Sequence, residues 1–125
     1  MKKIIASSNA PAPIGPYNQA VMVGNMLYSS GQIAINPLNG ALVDDSIENE
    51  TKQVMENLKA VLFRAEMDFN NVVKCTIFVS DMNNFSKINE IYGSYFTSNF
   101  PARETVEVSG LPKNANVEIS LIAVK

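Results

Sequence analysis

The chain has no histidine and a single cysteine, Cys75, among its 125 residues. Without histidine there is no serine–histidine or cysteine–histidine nucleophile pair, and the usual zinc ligand sets are missing. One cysteine leaves nothing to pair with inside the chain, so Cys75 reads as a small core hydrophobe. No tight Asp/Glu cluster suggests a magnesium site either, and metal-free chemistry is expected. Positive charge is thin as well. Ten Lys and Arg stand against twelve Asp and Glu, a net charge of -2, and after Lys2-Lys3 the basic residues are scattered singly. No patch offers itself to a phosphate backbone, so no nucleic-acid partner is expected. No apolar run approaches the ~20 residues of a membrane span. The opening Lys2-Lys3-Ile4-Ile5-Ala6 is too short for a signal peptide and is ended by Ser7-Ser8-Asn9-Ala10-Pro11. A cytoplasmic location without a membrane partner is the expectation. What remains for chemistry is Arg, Glu, Tyr, Ser, Thr, backbone groups and water.

A hydrophobic content of 46% suits one domain, residues 1–125, burying about two-thirds of its unfolded surface. Residues 2–6 read as a short strand. Pro11, Pro13 and Pro16, with Gly15, then hold an extended loop that Tyr17 closes. Residues 18–23 and 26–30 flank Gly24-Asn25, a dipeptide suited to a two-residue hairpin turn. The recurrence of Ile47, Thr51, Val54, Leu58, Val61 and Ala65 predicts a helix. Asp45 and Glu48 offer a variant capping box, and Glu48 with Lys52 an i,i+4 pair. No glycine closes this helix; Glu66-Met67-Asp68 stands there, so a frayed or strained end is expected. Residues 72–80 follow as a strand with Val73, Cys75, Ile77 and Val79 on one face. Asp81 is placed to cap a second helix with the stripe Phe85, Ile88, Tyr92, Tyr95 and Phe96, stopped by Asn99-Phe100-Pro101.

Two alternating strands end the chain. In Pro101-Ala102-Arg103-Glu104-Thr105-Val106-Glu107-Val108, Val106 and Val108 share one face and Arg103, Thr105 and Glu107 the other. In Val117–Val124 the face of Val117, Ile119, Leu121 and Ala123 is apolar, and the other opens with Glu118 and Ser120. If the two strands share a sheet, Arg103 and Glu118 can project from the same side. The layout is α+β, a mixed sheet with two helices on one face. The other face would carry Val72, Phe78, Ile122 and Val124 among Arg103, Glu118 and Ser120, an apolar patch that marks self-association.

Arg103 suits a carboxylate or phosphate, which its planar fork can hold bidentately; its plain alternative is a surface arginine paired with Glu104 or Glu107. Glu118 reads as a solvated glutamate on its own, Tyr17 as a packing residue, Gly31 as a turn residue relieving a positive φ, and Asn89 as an exposed helix position.

Pro101-Ala102-Arg103 with Val106-Glu107-Val108, then Leu111-Pro112 and the closing Val117-Glu118-Ile119, resembles the Rid (YjgF-like) reactive-intermediate deaminases, RidA-like branch. So do Ile14-Gly15-Pro16-Tyr17 and Tyr28-Ser29-Ser30-Gly31-Gln32, and the match runs along essentially the whole chain. The resemblance implies a chorismate-mutase-like fold related to a ferredoxin-like sandwich, and a homotrimer with sites between subunits. It implies hydrolysis of 2-imino acids, such as those released by pyridoxal-phosphate-dependent dehydratases, to 2-keto acids and ammonia, with no cofactor. Arg103 would hold the carboxylate and Glu118 the attacking water. Backbone near Ser30, Gly31 and Thr105 would position the imine, with Tyr17 closing the pocket. Thr105 departs from the cysteine that many relatives carry. Two other functions remain open: a non-catalytic small-carboxylate sensor acting on amino-acid or nucleotide metabolism, and a ribonuclease that inhibits translation. The composition argues against the last.

Overall fold

The computed structural model describes residues 1–125 and folds them into one six-stranded sheet in the order β1-β2-β3-β6-β4-β5. The strands are β1 (Lys2–Ile5), β2 (Ala20–Val23), β3 (Met26–Ser29), β4 (Val72–Val79), β5 (Ala102–Glu107) and β6 (Val117–Val124). Helix α1 (Ile47–Arg64) joins β3 to β4, and α2 (Phe85–Gly93) joins β4 to β5. The parallel pair β4–β5 is the only parallel ladder, as a helical crossover requires. This is the expected α+β sandwich, with β6 slotted between the strands that α1 connects.

Strand β6 is the clearest product of its pattern: Val117, Ile119, Leu121 and Ala123 are buried and the residues between them are not. They meet Ile77, Val79, Leu58 and Leu62 in a single core. Each large aliphatic buried there contributes about 1.5–3 kcal/mol. The hairpin turns at Gly24-Asn25 with Val23 paired to Met26, and only Gly24 takes a positive φ, 58°.

Several boundaries differ from expectation. Ser46, not Asp45, caps α1, accepting from the Asn49 N–H at 3.0 Å, while Asp45 takes the Asn49 side-chain amide. Glu48 and Lys52 form no ion pair, the two present being Lys74–Glu104 and Lys125–Glu66. Glu66 ends the helix at φ 61°, the strained finish that the missing glycine implies. Asp81 caps a 3₁₀ turn, Met82–Asn84, that runs into α2, and α2 stops at Gly93, leaving Tyr95 and Phe96 beyond it. In β4 a register shift between Val72 and Lys74 turns Val72 inward and Val73 outward, reversing their expected sides. The extra residue of a bulge does this.

The helices cover one face of the sheet. The open face shows Ile4, Val23, Tyr28 and Val106, each more than 40% exposed, beside the partly covered Phe78, Ile122 and Val124. No helix is long and apolar enough to cross a membrane.

Candidate functional site

Arg103 lies on the edge strand, directly across from Cys75, a buried core residue. Paired residues share a face, so Arg103 points to the helix side. There α2 presents Phe85, Asn89 and Tyr92 at i, i+4 and i+7, one stripe of the helix. The guanidinium carbon lies 5.5 Å from the Phe85 ring centre and 5.1 Å from that of Tyr92. Its Nη1 donates to Asn89 Oδ1 at 2.6 Å. Asn89 is therefore a partner of Arg103 and not a merely exposed helix position. No carboxylate pairs with Arg103. Glu104 lies on the opposite face, held by Lys74 Nζ at 3.1 Å and Thr76 Oγ1 at 2.5 Å, and Glu107 accepts from the Met82 N–H at 2.8 Å. Arg103 lines a cleft together with Asn89, Tyr92, Gly93, Phe100 and Pro101.

Beneath the guanidinium the groups are neutral. Burial, foremost, raises both the Cys75 thiol and the Tyr92 hydroxyl above their ordinary pKa values. Tyr92 Oη is buried with only the Cys75 sulfur, a weak hydrogen-bonding group, acting on it. Thr105, two residues on, also faces the helices, and its Oγ1 is buried and unpartnered.

Glu118 pairs with Phe78 and so points to the open face. Its carboxylate lies against Gly31: a Cβ there would fall 2.6 Å from Glu118 Oε2 and 2.7 Å from Cδ. Gly31 has no positive φ, so it is glycine for space and not for turn geometry. Nothing in the chain donates a hydrogen bond to Glu118, and half-burial raises its pKa by desolvation. It forms one end of a cleft of about 220 Å³ whose walls include Pro11, Ile14, Tyr17, Gly31 and Pro112. Tyr17 stands at the mouth, about half exposed. The Ser30 hydroxyl donates to the Asn18 carbonyl at 2.6 Å and the Ser30 N–H to that of Gln19 at 2.9 Å. Ser30 ties down the proline loop, and its hydroxyl proton is not free for a ligand.

Three buried polar residues that the sequence reading did not single out hold these walls. The Gln19 amide accepts from the Ser7 N–H at 2.6 Å and reaches the carbonyls of Ser7, Ala10 and Pro11. Asn57 donates to the carbonyls of Ile33 and Ile35. Glu50 accepts from the Asn116 N–H and side-chain amide at 2.7 and 2.8 Å. The signal was available for two of them: Glu50 and Asn57 sit at polar positions inside the α1 stripe, fully buried beside Val54 and Val61.

The expectation that Arg103 and Glu118 share a side of the sheet is wrong. They lie on opposite faces. Tyr17, Gly31 and Glu118 gather in one cleft, with Ser30 next to Gly31 in the chain. Arg103 lines another, and Thr105 lies on the same face of β5 as Arg103 but is not part of that cleft's lining. Each chain carries one cationic and one anionic cleft, and neither Arg103 nor Glu118 has an oppositely charged partner within the chain.

Residues 7–125 match the family model described as Endoribonuclease L-PSP. A RutC family protein of Pyrococcus horikoshii is 50% identical over 125 residues, covering 100% of this chain and 99% of its own. A Homo sapiens protein named 2-iminobutanoate/2-iminopropanoate deaminase is 44% identical over 125 residues, 100% of this chain and 91% of its own. Among solved structures, that of E. coli TdcF with bound serine superposes with a TM-score of 0.95 at 37% identity, covering 98% of both chains.

Proposed function

Since the chain belongs to the L-PSP family, the YjgF-like Rid proteins, we propose that it hydrolyses 2-imino acids, and their enamine tautomers, to 2-keto acids and ammonia. The observation that carries this reading is the pair of unneutralised half-sites: a guanidinium without a carboxylate, and a partly desolvated carboxylate without a cation. Copies of the chain associate through the open sheet face and the β5 edge as a trimer, and the Arg103 half of one copy completes the Glu118 half of its neighbour. Relatives named for this deaminase reaction and one with bound serine, itself a small amino carboxylate, favour the same ligand class.

In that site Arg103 holds the substrate carboxylate bidentately. With the imine nitrogen protonated, Glu118 accepts a proton from a water as the water oxygen bonds to C2 and the C=N electron pair moves onto nitrogen, forming a neutral carbinolamine. The carboxyl then delivers the proton to nitrogen, the C–N bond breaks with its electron pair leaving on ammonia, and loss of the hydroxyl proton forms the ketone. A carboxyl whose pKa is raised toward neutrality serves both steps better than an ordinary one. Tyr17 covers the pocket, and the backbone around Gly31 and Thr105 lines it. The experiment is to generate an imine with a threonine dehydratase, trap it with semicarbazide and add the protein. The adduct is expected to fall with wild type and to persist with Arg103→Ala. No suppression at any concentration would remove the reading.

A further inference from the structure

Resting on that reading of Arg103 as the carboxylate clamp, we infer that Phe85 and Tyr92 are positioning residues, the α2 rings over which the guanidinium lies fixing its plane and leaving one edge free for the ligand. An arginine on an edge strand has four rotatable bonds and would ordinarily swing into solvent. Here the carbon of the fork lies 5.1 and 5.5 Å from two ring centres, within the range where the negative face of a ring attracts a cation. Asn89, between the rings in sequence, engages Nη1 alone. No acceptor in the chain takes the Nε–Nη2 edge, two parallel N–H groups, and that edge matches the two oxygens of a carboxylate.

Rings and a neutral amide orient the charge without cancelling it, whereas an Asp or Glu at the same distance would occupy the fork. The environment below keeps the same rule: Cys75 and the Tyr92 hydroxyl are buried and neutral, and both ion pairs of the chain lie elsewhere. The Tyr92 hydroxyl makes no hydrogen bond to Arg103, whose one such partner is Asn89, so the ring and not the hydroxyl is the part that meets the guanidinium.

Two measurements test this. The first needs no ligand: ¹⁵N relaxation of Arg103 Nε is expected to report a rigid side chain in wild type and Tyr92→Phe, and a mobile one in Tyr92→Leu and Phe85→Leu. The second is calorimetric titration with 2-oxobutanoate and with its uncharged amide. Each leucine variant is expected to weaken 2-oxobutanoate about tenfold and to leave the amide unchanged, while Tyr92→Phe binds both as wild type. Phe85 is only partly buried, so its leucine variant keeps the test alive if Tyr92→Leu fails to fold. A rigid Arg103 in folded Phe85→Leu, or equal weakening of acid and amide, would overturn the inference while leaving the clamp intact. An Arg103→Ala protein that binds 2-oxobutanoate as wild type would instead remove the clamp and the inference with it.

Discussion

At the scale of single residues two charges, Arg103 and Glu118, and the groups around them decide the chemistry. Arg103→Ala removes charge-assisted hydrogen bonds that contribute about 1.5–3 kcal/mol each, so KM for the imine should rise at least about tenfold. Arg103→Lys should recover only part of this, because a point charge cannot replace a fork; imine-trap kinetics on the two variants check it. Gly31→Ala is the sharper change. Its methyl would meet the Glu118 carboxylate at 2.6 Å, and the flexible end of that side chain can swing away at little cost to the fold. Unfolding free energy should move by less than about 1 kcal/mol, while the displaced carboxylate should lower kcat/KM about 100-fold. Glu118 also links function to stability. Burial raises its pKa above the ordinary 4.5, so the folded chain holds that proton more tightly than the unfolded chain. The resulting stabilisation is full below the ordinary value and is lost as pH rises through the higher folded value. In the dissociated chain, where no guanidinium faces the carboxyl, Glu118→Gln should therefore raise Tm at pH 7 and lose that advantage in acid, as thermal melts across pH at dissociating concentrations would record.

At the scale of elements, the buried polar residues of α1 hold the loops that shape the Glu118 cleft. Glu50→Ala would leave the Asn116 N–H and amide without their acceptor, a cost of about 2–4 kcal/mol that urea unfolding can measure. Much of this level was legible in the sequence. The β6 alternation named its buried face residue by residue, and the α1 stripe named Thr51, Val54, Leu58 and Val61, all buried. The face of Arg103 was not legible. Alternation says which residues of one strand lie together, but not which set the neighbouring strands turn toward the helices; that comes from the Cys75–Arg103 register. The reason a charge can face inward lies in α2, whose stripe places Asn89 between Phe85 and Tyr92. The bulge after Val72 was hidden for the same reason, since Val72 and Val73 are equally apolar and only pairing with β6 decides between them. Gly31 shows the limit from the other side: its identity records the crowding of a residue 87 positions away in the chain, Glu118.

At the scale of the whole molecule, the two half-sites on opposite faces make a single copy incomplete for the reaction proposed. Exposed Val106 and Phe100 flank the Arg103 edge, and exposed Ile14 and Tyr17 flank the Glu118 cleft, so apolar surface surrounds both halves where two copies would meet. Mixing two inactive variants tests this arrangement most directly. Arg103→Ala supplies an intact Glu118 half, and Glu118→Ala an intact Arg103 half. Co-refolded at equal amounts into mixed oligomers, they should regain about one quarter of wild-type imine hydrolysis, the share of junctions that draw both intact halves. Activity that stays at the level of the separate variants, in oligomers verified by mass to be mixed, would contradict a site shared between copies.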